Sequence, residues 1–586
     1  MVNIKLKNFL KDSVKSIYES TKRFPITIGV CILLVIMLII TNENQSNLSK
    51  EAFEIIQRIN MIIALGIPLS LCFKLIFEKK DMKKLNEVFI YILGIGALVL
   101  YYFYLLNDFK DTSIIRYIGL SIFLYLGFLY IPWLGNKKHY ENYIIKVLGN
   151  FFLAVIYAVV IYFGFSAIIF TIDKLFSINI EWKIYYYMAL IVFIVLMPSM
   201  FLAKIPYNNH DFSKVDYPKA LKVLLLYIVI PLITIYTTIL YAYFIKIIVT
   251  RNWPEGLVSH LVLWYSVITV GVVFFIHPLV DKNKLAKVFT FWIPKIIIPI
   301  IFMMFVSIGI RIREYGITEN RYFVLVLGIW VLGIMIYFSA ARKMKNIIIP
   351  ISLSIIVLNA VFGPLSSFSI SKYSQNKRFE EILVKNNMLY NGKIVKPKAK
   401  LPEKDKIEMS MILSYFKDKH SLNNVKYLPN NFETDDMTEV FGFPYTFAEN
   451  GYGKKYHYFA SDKLEKTIEI KDYDYLVSIN DLINSRVEIK ISEKINCTVY
   501  NHVLKIKDGE DIIYEKNIEE FIKIIFNKYN NELDNSEINI EDMTFEDENE
   551  KVKIKFIFNN ISLESSGEGL IENINDIGLD IVLKIK

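Results

Sequence analysis

Three guanidiniums and two carboxylates fall within a dozen residues at Arg311-Ile312-Arg313-Glu314-Tyr315-Gly316-Ile317-Thr318-Glu319-Asn320-Arg321-Tyr322. Paired Arg and Glu can clamp a phosphate or carboxylate headgroup through charge-assisted, often bidentate hydrogen bonds. Equally, they can neutralise one another and tighten a loop or dock a neighbouring domain. A second segment, Arg251-Asn252-Trp253-Pro254-Glu255-Gly256, offers a further Arg and Glu beside an indole. Trp253 and Tyr322 are of the kind that settle at a membrane interface. The candidate cluster is Trp253, Glu255, Arg311, Arg313, Glu314, Glu319, Asn320 and Arg321, with ligand binding and domain docking both open.

A second candidate is Lys295, an ammonium in an otherwise apolar run between Pro294 and Pro299. It can mark a broken helix with a functional charge at depth, or lie near a span end and snorkel to the interface. His277-Pro278 closes another apolar run and suits an interfacial position better than a proton relay. Asn359 is the innermost amide of the last apolar run and is expected to act as interhelical glue. The seven histidines (His139, His210, His260, His277, His420, His457, His502) are dispersed. The sequence has no phosphate-binding glycine loop, no paired zinc ligands and no nucleophile elbow, so neither a metal, a cofactor nor a catalytic residue is implied. The acidic stretch Glu541–Glu550 reads as a solvated loop or strand edge.

What must position these residues is a membrane domain. The 586 residues are 54% hydrophobic and 15% aromatic with a mean hydropathy of +0.37, well above an average soluble chain. Apolar runs of about 18 residues or more, each able to cross roughly 30 Å of hydrocarbon, recur from Phe24 to Phe368 and then stop. The expected fold is an α-helical polytopic bundle of eleven spans followed by a soluble α+β domain. The spans are expected near 24–41, 59–77, 87–106, 113–134, 148–173, 182–203, 220–248, 257–279, 288–310, 321–340 and 346–368. The corresponding domains are an amphipathic basic segment at 1–23, a transmembrane domain at 24–370 and the α+β domain at 371–586. No cleavable signal peptide is evident, and Cys31, Cys72 and Cys497 are too few for a disulfide framework.

Charge divides along the same line. Residues 372–586 hold 31 Lys and Arg against 39 Asp and Glu, whereas the preceding part holds 36 against 19. The basic residues are scattered over short loops, which favours anionic lipid over nucleic acid. Alternate loops are rich in Lys and Arg, with 22 such residues against 11 in the opposite set. The positive-inside rule then makes the N-terminus cytoplasmic. With an odd span number, the α+β domain becomes extracytoplasmic in a cell membrane. The bilayer is the expected partner, with lipid headgroups or other envelope components as possible ligands.

In the tail, helices are expected at Lys372–Lys385, Glu403–Lys419 and Ile518–Tyr529. Strands are expected at Lys454–Phe459, Tyr475–Ile479, Arg486–Ile491, Thr498–Ile506, Val552–Phe558 and Gly578–Ile585. A faint internal echo relates Tyr227-Ile-Val-Ile-Pro231 to Lys295-Ile-Ile-Ile-Pro299.

Several short motifs resemble the bacterial multi-pass membrane proteins of the domain-of-unknown-function 4153 family. They are Arg23-Phe24-Pro25, Trp253-Pro254-Glu255-Gly256, Glu314 to Tyr322 with Trp330, Gly363-Pro364, Ser366 to Ser369, and Ser374-Gln375-Asn376-Lys377-Arg378. In the tail, Met411 to Tyr415 and Asp472 to Tyr475 fit as well. The resemblance implies a membrane protein without an established activity and transfers no catalytic residue. Three functions compete. The first is an envelope binding, sensing or scaffold protein; the second is a transporter or lipid-handling permease. The third is a polyprenyl-linked glycosyl or phospho-group transferase, for which Glu43, Glu51 and Glu54 are the available carboxylates.

Overall fold

The computed structural model describes residues 15, 17–45, 48–80, 82–135, 138–176, 178, 180–207, 212, 216–250, 257–445, 454–462, 470–479, 487–492, 494–500, 502–529, 537–566 and 571–586. Among these, ten helices are long and apolar enough to cross a membrane. They are α1 Pro25–Glu43, α2 Lys50–Lys80, α3 Lys84–Tyr104, α4 Asp111–Trp133, α5 Tyr140–Phe176, α6 Trp182–Ala203, α7 Lys219–Thr250, α8 Ser259–Leu279, α9 Lys284–Tyr315 and α10 Glu319–Ala340. The chain is a multi-pass membrane protein.

The eleventh expected span takes a different form. Helix α11, Ile348–Val361, has only 14 residues and so rises about 21 Å. Its flanks nevertheless reach both ends of the bundle. Asn346, just before it, hydrogen-bonds Glu141 at 2.6 Å, beside His277. Leu365, just after it, accepts from the Tyr322 hydroxyl. Between them the Trp330 indole donates to Ser352 at 2.9 Å. Gly363-Pro364 breaks the helix, and residues 362–366 complete the traverse. The end that carries Phe24 is called the near end below, and the end that carries Tyr315 and Glu319 the far end.

Prolines explain two departures from regular helix. The turns Ile191–Leu196 and Leu224–Val229 are π-helical and directly precede Pro198 and Pro231. A proline lacks an N–H and crowds the carbonyl four residues back, and a wider turn relieves both. Pro294 and Pro299, by contrast, lie inside an unbroken α9, so the two halves of the sequence echo differ in conformation.

Close packing and sparse polar pairs hold the bundle, as expected where lipid gives no hydrophobic drive between helices. Thr27 and Ser70 meet at 2.9 Å, and Asn60 donates to Thr41 at 3.0 Å. Small residues sit where helices cross: a Cβ on Gly119 would lie 2.7 Å from Val361, and one on Gly328 would lie 2.5 Å from Met304. Asn359, expected to bridge helices, instead donates to Ile355 of its own helix at 2.8 Å and is exposed. At the near end, Arg23 pairs with Glu78 through two hydrogen bonds of 3.0 and 2.9 Å and also donates to the Ile205 carbonyl at 2.5 Å.

The chain forms two compact units. One contains residues 1–400 and 412–442, and the other residues 401–411 and 443–586. The helical unit therefore extends past the last span. It includes α12 Ser367–Lys385, a two-residue hairpin of β1 Leu389–Tyr390 and β2 Lys393–Ile394, and the second half of α13, Glu403–Lys419.

The other unit is α+β. Its larger sheet has the order β4-β12-β11-β3-β9, with β10 also on β11. These strands are β3 Lys454–Ser461, β4 Tyr475–Ile479, β9 Glu537–Ile538, β10 Thr544–Glu548, β11 Val552–Ser566 and β12 Ile571–Ile585. A second sheet is the meander β5 Val487–Lys490, β6 Ile495–Tyr500, β7 Val503–Asp508 and β8 Asp511–Asn517. The expected single strand 498–506 is two strands of this meander, with His502 at φ 59° in the turn between them. A helix, Glu519–Tyr529, buries Phe521, Ile522, Ile525 and Phe526 in one core with residues of both sheets, including Cys497, Ile506, Phe556 and Leu579. The acidic stretch is an edge strand whose carboxylates face lysines: Glu546 with Lys555, Glu548 with Lys586.

Candidate functional site at the far end

Helix α9 ends at Tyr315 because Gly316 adopts φ 70° and ψ −178°, a conformation open to glycine and costly for other residues. Space selects glycine as well: a Cβ there would lie 2.6 Å from Arg378 and 2.9 Å from Gln375. Those residues belong to one face of α12. Gln375 donates its amide to the carbonyls of Tyr315 and Ile317, both at 3.1 Å. Arg378 donates to Tyr315 at 2.8 Å and to Glu314 at 3.3 Å. Ser374 accepts from the Ile317 N–H at 2.9 Å. Arg321 adds a bond of 2.9 Å to the Gly316 carbonyl. The turn between α9 and α10 is thus held almost entirely by side chains gripping its backbone.

Glu319 opens α10, where the N-terminal end of the helix dipole favours a carboxylate. It is buried and accepts from Tyr415 at 2.8 Å and from His420 at 2.9 Å. Tyr415 and His420 are themselves 3.0 Å apart, which closes a triangle. Burial, reinforced by the adjoining carboxylate, pushes the Tyr415 phenol up, so it keeps its proton and donates. Beside the triangle, Lys419 pairs with Asp111 at the start of α4, and that bond holds its ammonium above the usual lysine range. Thr112 donates to the Lys419 carbonyl at 3.2 Å.

These groups surround a cleft of about 280 Å³ walled by Asp111, Thr112, Glu319, Asn320, Tyr415 and Lys419, with Ile115 and Phe368 supplying apolar surface. The Arg116 guanidinium stacks on Phe368 at 5.1 Å, and its Nε is buried without a hydrogen-bond partner. Carboxylates, an ammonium, an amide and hydroxyls around an apolar floor suit a small polar or zwitterionic group joined to an apolar one.

The expected cluster is divided by the structure. Glu319 and Asn320 line the cleft. Arg321 turns to the loop carbonyls and is close enough to Arg311 and Arg378 for mutual repulsion. Arg313 and Glu314 have exposed side chains. Trp253 and Glu255 lie outside the described residues. Lys295 is remote from these groups and lies over the ring of Phe291, one turn earlier in the same helix, at 3.2 Å. Sequence reasoning missed Asp111, Arg116, Tyr415, Lys419 and His420. The Ser374 to Arg378 run was visible as a motif, and its spacing on one helix face was the available signal.

An uncharacterized protein of Pasteurella multocida (strain Pm70) is 24% identical over 277 residues, which is 47% of each chain, so this chain spans about half the length of that relative. No solved structure matches. The model of the family described as Domain of unknown function (DUF4153) matches residues 28–391, and the matched region includes the bundle, the Gly316 turn and the α12 face that grips it. The chain belongs to the DUF4153 family.

Proposed function

We propose that this protein binds or senses an envelope component, as a cell-membrane protein with a cytoplasmic N-terminus and an extracytoplasmic α+β region. The observation that carries the reading is the polar cleft at the far end, where Glu319 is held by Tyr415 and His420. Glu319 begins a span, whereas Tyr415 and His420 belong to the segment leading into the α+β region. A ligand that altered the triangle would act on both at once. Ligand chemistry follows from the walls: Lys419 suits an anionic oxygen, and Glu319 with Asp111 suits an amine.

A deletion strain compared with its parent for envelope lipid and glycan composition, then complemented with Asn320→Leu or Thr112→Val, tests the reading. Both changes occupy or alter the cleft wall and spare the triangle. Failure of either variant to complement, with normal membrane levels of protein, is the expected result. Full complementation by both would refute a ligand in the cleft.

A further inference from the structure

Spans α7 and α8 form a hairpin joined at one level and parted beside it. At the joined level the Thr237 and Tyr265 hydroxyls hydrogen-bond, and the Tyr236 and Tyr265 rings pack with centroids 5.1 Å apart. Beside this floor, Leu232, Ile235 and Ile239 of one helix and Leu261, Trp264 and Ile268 of the other stay exposed. They wall a groove of about 590 Å³ that is almost wholly apolar. The π-helical turn Leu224–Val229 reaches the groove at Val229. By adding a residue to the turn, it re-aims the side chains that follow, and such turns recur at functional sites.

An imidazole interrupts this surface. His260 lines the groove, is exposed and lies in the first turn of a helix that begins at Leu257. Ionisable side chains in membrane spans nearly always face the protein interior or a water-filled cavity. An outward imidazole in the first turn of a span meets headgroup oxygens instead, and the gap beneath it lies in hydrocarbon, where water has no partners. We propose that the groove holds one phospholipid. An acyl chain lies between α7 and α8 against Ile235, Ile239, Leu261 and Trp264, and a phosphate oxygen accepts a hydrogen bond from His260. A concave seat with a fixed tyrosine floor and a polar anchor distinguishes this lipid from those that merely coat the convex helices.

The test uses the full chain, purified and reconstituted into bilayer discs of phosphatidylethanolamine and phosphatidylglycerol. A trace of phosphatidylglycerol carries a photoactivatable acyl chain. Illumination and peptide mass spectrometry should place adducts chiefly on residues 229–239 and 260–268. Filling the groove with Ile235→Trp, or with Ile239→Phe where the first variant fails to fold, should abolish those adducts. His260→Ala should reduce them about fivefold, as expected for one lost hydrogen bond, and His260→Gln should restore them. Ile122→Trp, on a different exposed face, should change nothing. Adducts spread evenly over all spans, or wild-type yields from both the groove-filling variant and His260→Ala, would overturn the assignment.

Discussion

Glu319 and His420 are 101 residues apart in the chain, yet the carboxylate and the imidazole meet at 2.9 Å. Neither has much contact with water: the side chains are 10% and 4% exposed. The pair is therefore a joint between the start of α10 and the residue just beyond α13, made where the dielectric is low enough for a hydrogen bond to matter. Tyr415 belongs to the same joint through its 2.8 Å bond to Glu319.

Removing one member leaves the others buried and unsatisfied, a cost of about 1–3 kcal/mol. His420→Ala and Tyr415→Phe should each lower the thermal midpoint of the detergent-solubilised protein by several degrees. The double variant should lose less than the sum, because the two residues share one carboxylate. Additive losses would mean that Tyr415 and His420 act independently of Glu319.

The grip of α12 on the Gly316 turn predicts an ordering among arginines. Arg321 holds the Gly316 carbonyl at 2.9 Å, whereas the Arg313 side chain is exposed. Arg321→Ala should cost about 1 kcal/mol and speed proteolysis between α9 and α10, and Arg313→Ala should be close to neutral. Gly316→Ala should exceed both, since it combines a positive φ with a Cβ set against Arg378. Limited proteolysis with mass-spectrometric site mapping ranks the three. An Arg313→Ala variant more labile than Arg321→Ala would reverse the assignment of roles.

The uneven legibility of the sequence follows from physics. Apolar run length is a local property, so the spans can be read directly from it, but the helix of the eleventh run, α11, is shorter than the run because Phe362 and Leu365 prolong the apolar residues beyond the break at Gly363-Pro364. Helix Glu403–Lys419 and strand Tyr475–Ile479 were legible from composition and alternation. The junction between β6 and β7 was not, since Asn501-His502 breaks the apolar alternation for only two residues and carries no glycine or proline. Site residues were legible only where charges cluster in sequence, as at Glu319 and Asn320. Asp111, Lys419 and His420 come together through folding alone, and no local pattern announces them.

The Arg23-Phe24-Pro25 motif has a structural reason that predicts a large effect. The Arg23 guanidinium is buried against Glu78 and the Ile205 carbonyl, and it stacks on Tyr207 at 3.9 Å. It therefore binds α2 and the segment after α6 to the start of α1. Loss of Arg23 leaves Glu78, which is partly exposed, with only Lys74 at 3.9 Å and leaves the Ile205 carbonyl without its donor, at a cost of about 1–3 kcal/mol. Arg23→Met should give low membrane yields that Glu78→Met, combined with it, partly restores. Arg23→Lys should not rescue, because an ammonium cannot make the same forked contact. Yields for Arg23→Met equal to wild type would show the pair to be dispensable.

The α+β unit should weaken in acid, and the sign follows from its edge carboxylates. Lys528 and Tyr529 hold Asp542 below the usual carboxylate range, Lys555 does so for Glu546, and Lys586 for Glu548. A depressed folded-state value means that the stabilisation is present above the ordinary carboxylate range, starts to fall within it, and is lost as pH drops through the lower folded-state value. Glu546 and Glu548 are exposed and Asp542 is partly so, and each contribution is small and screened by salt. Hydrogen exchange measured by mass spectrometry on the full chain, corrected for intrinsic rates, should show β10–β12 peptides opening more readily at pH 4 than at pH 7. The difference should shrink in high salt. Cys497 gives the contrasting control: burial raises its thiol to about 11, so it should resist alkylation at both pH values until the core around it unfolds. Peptides of β10–β12 that open equally at the two pH values would remove the ion pairs from any account of this unit's stability.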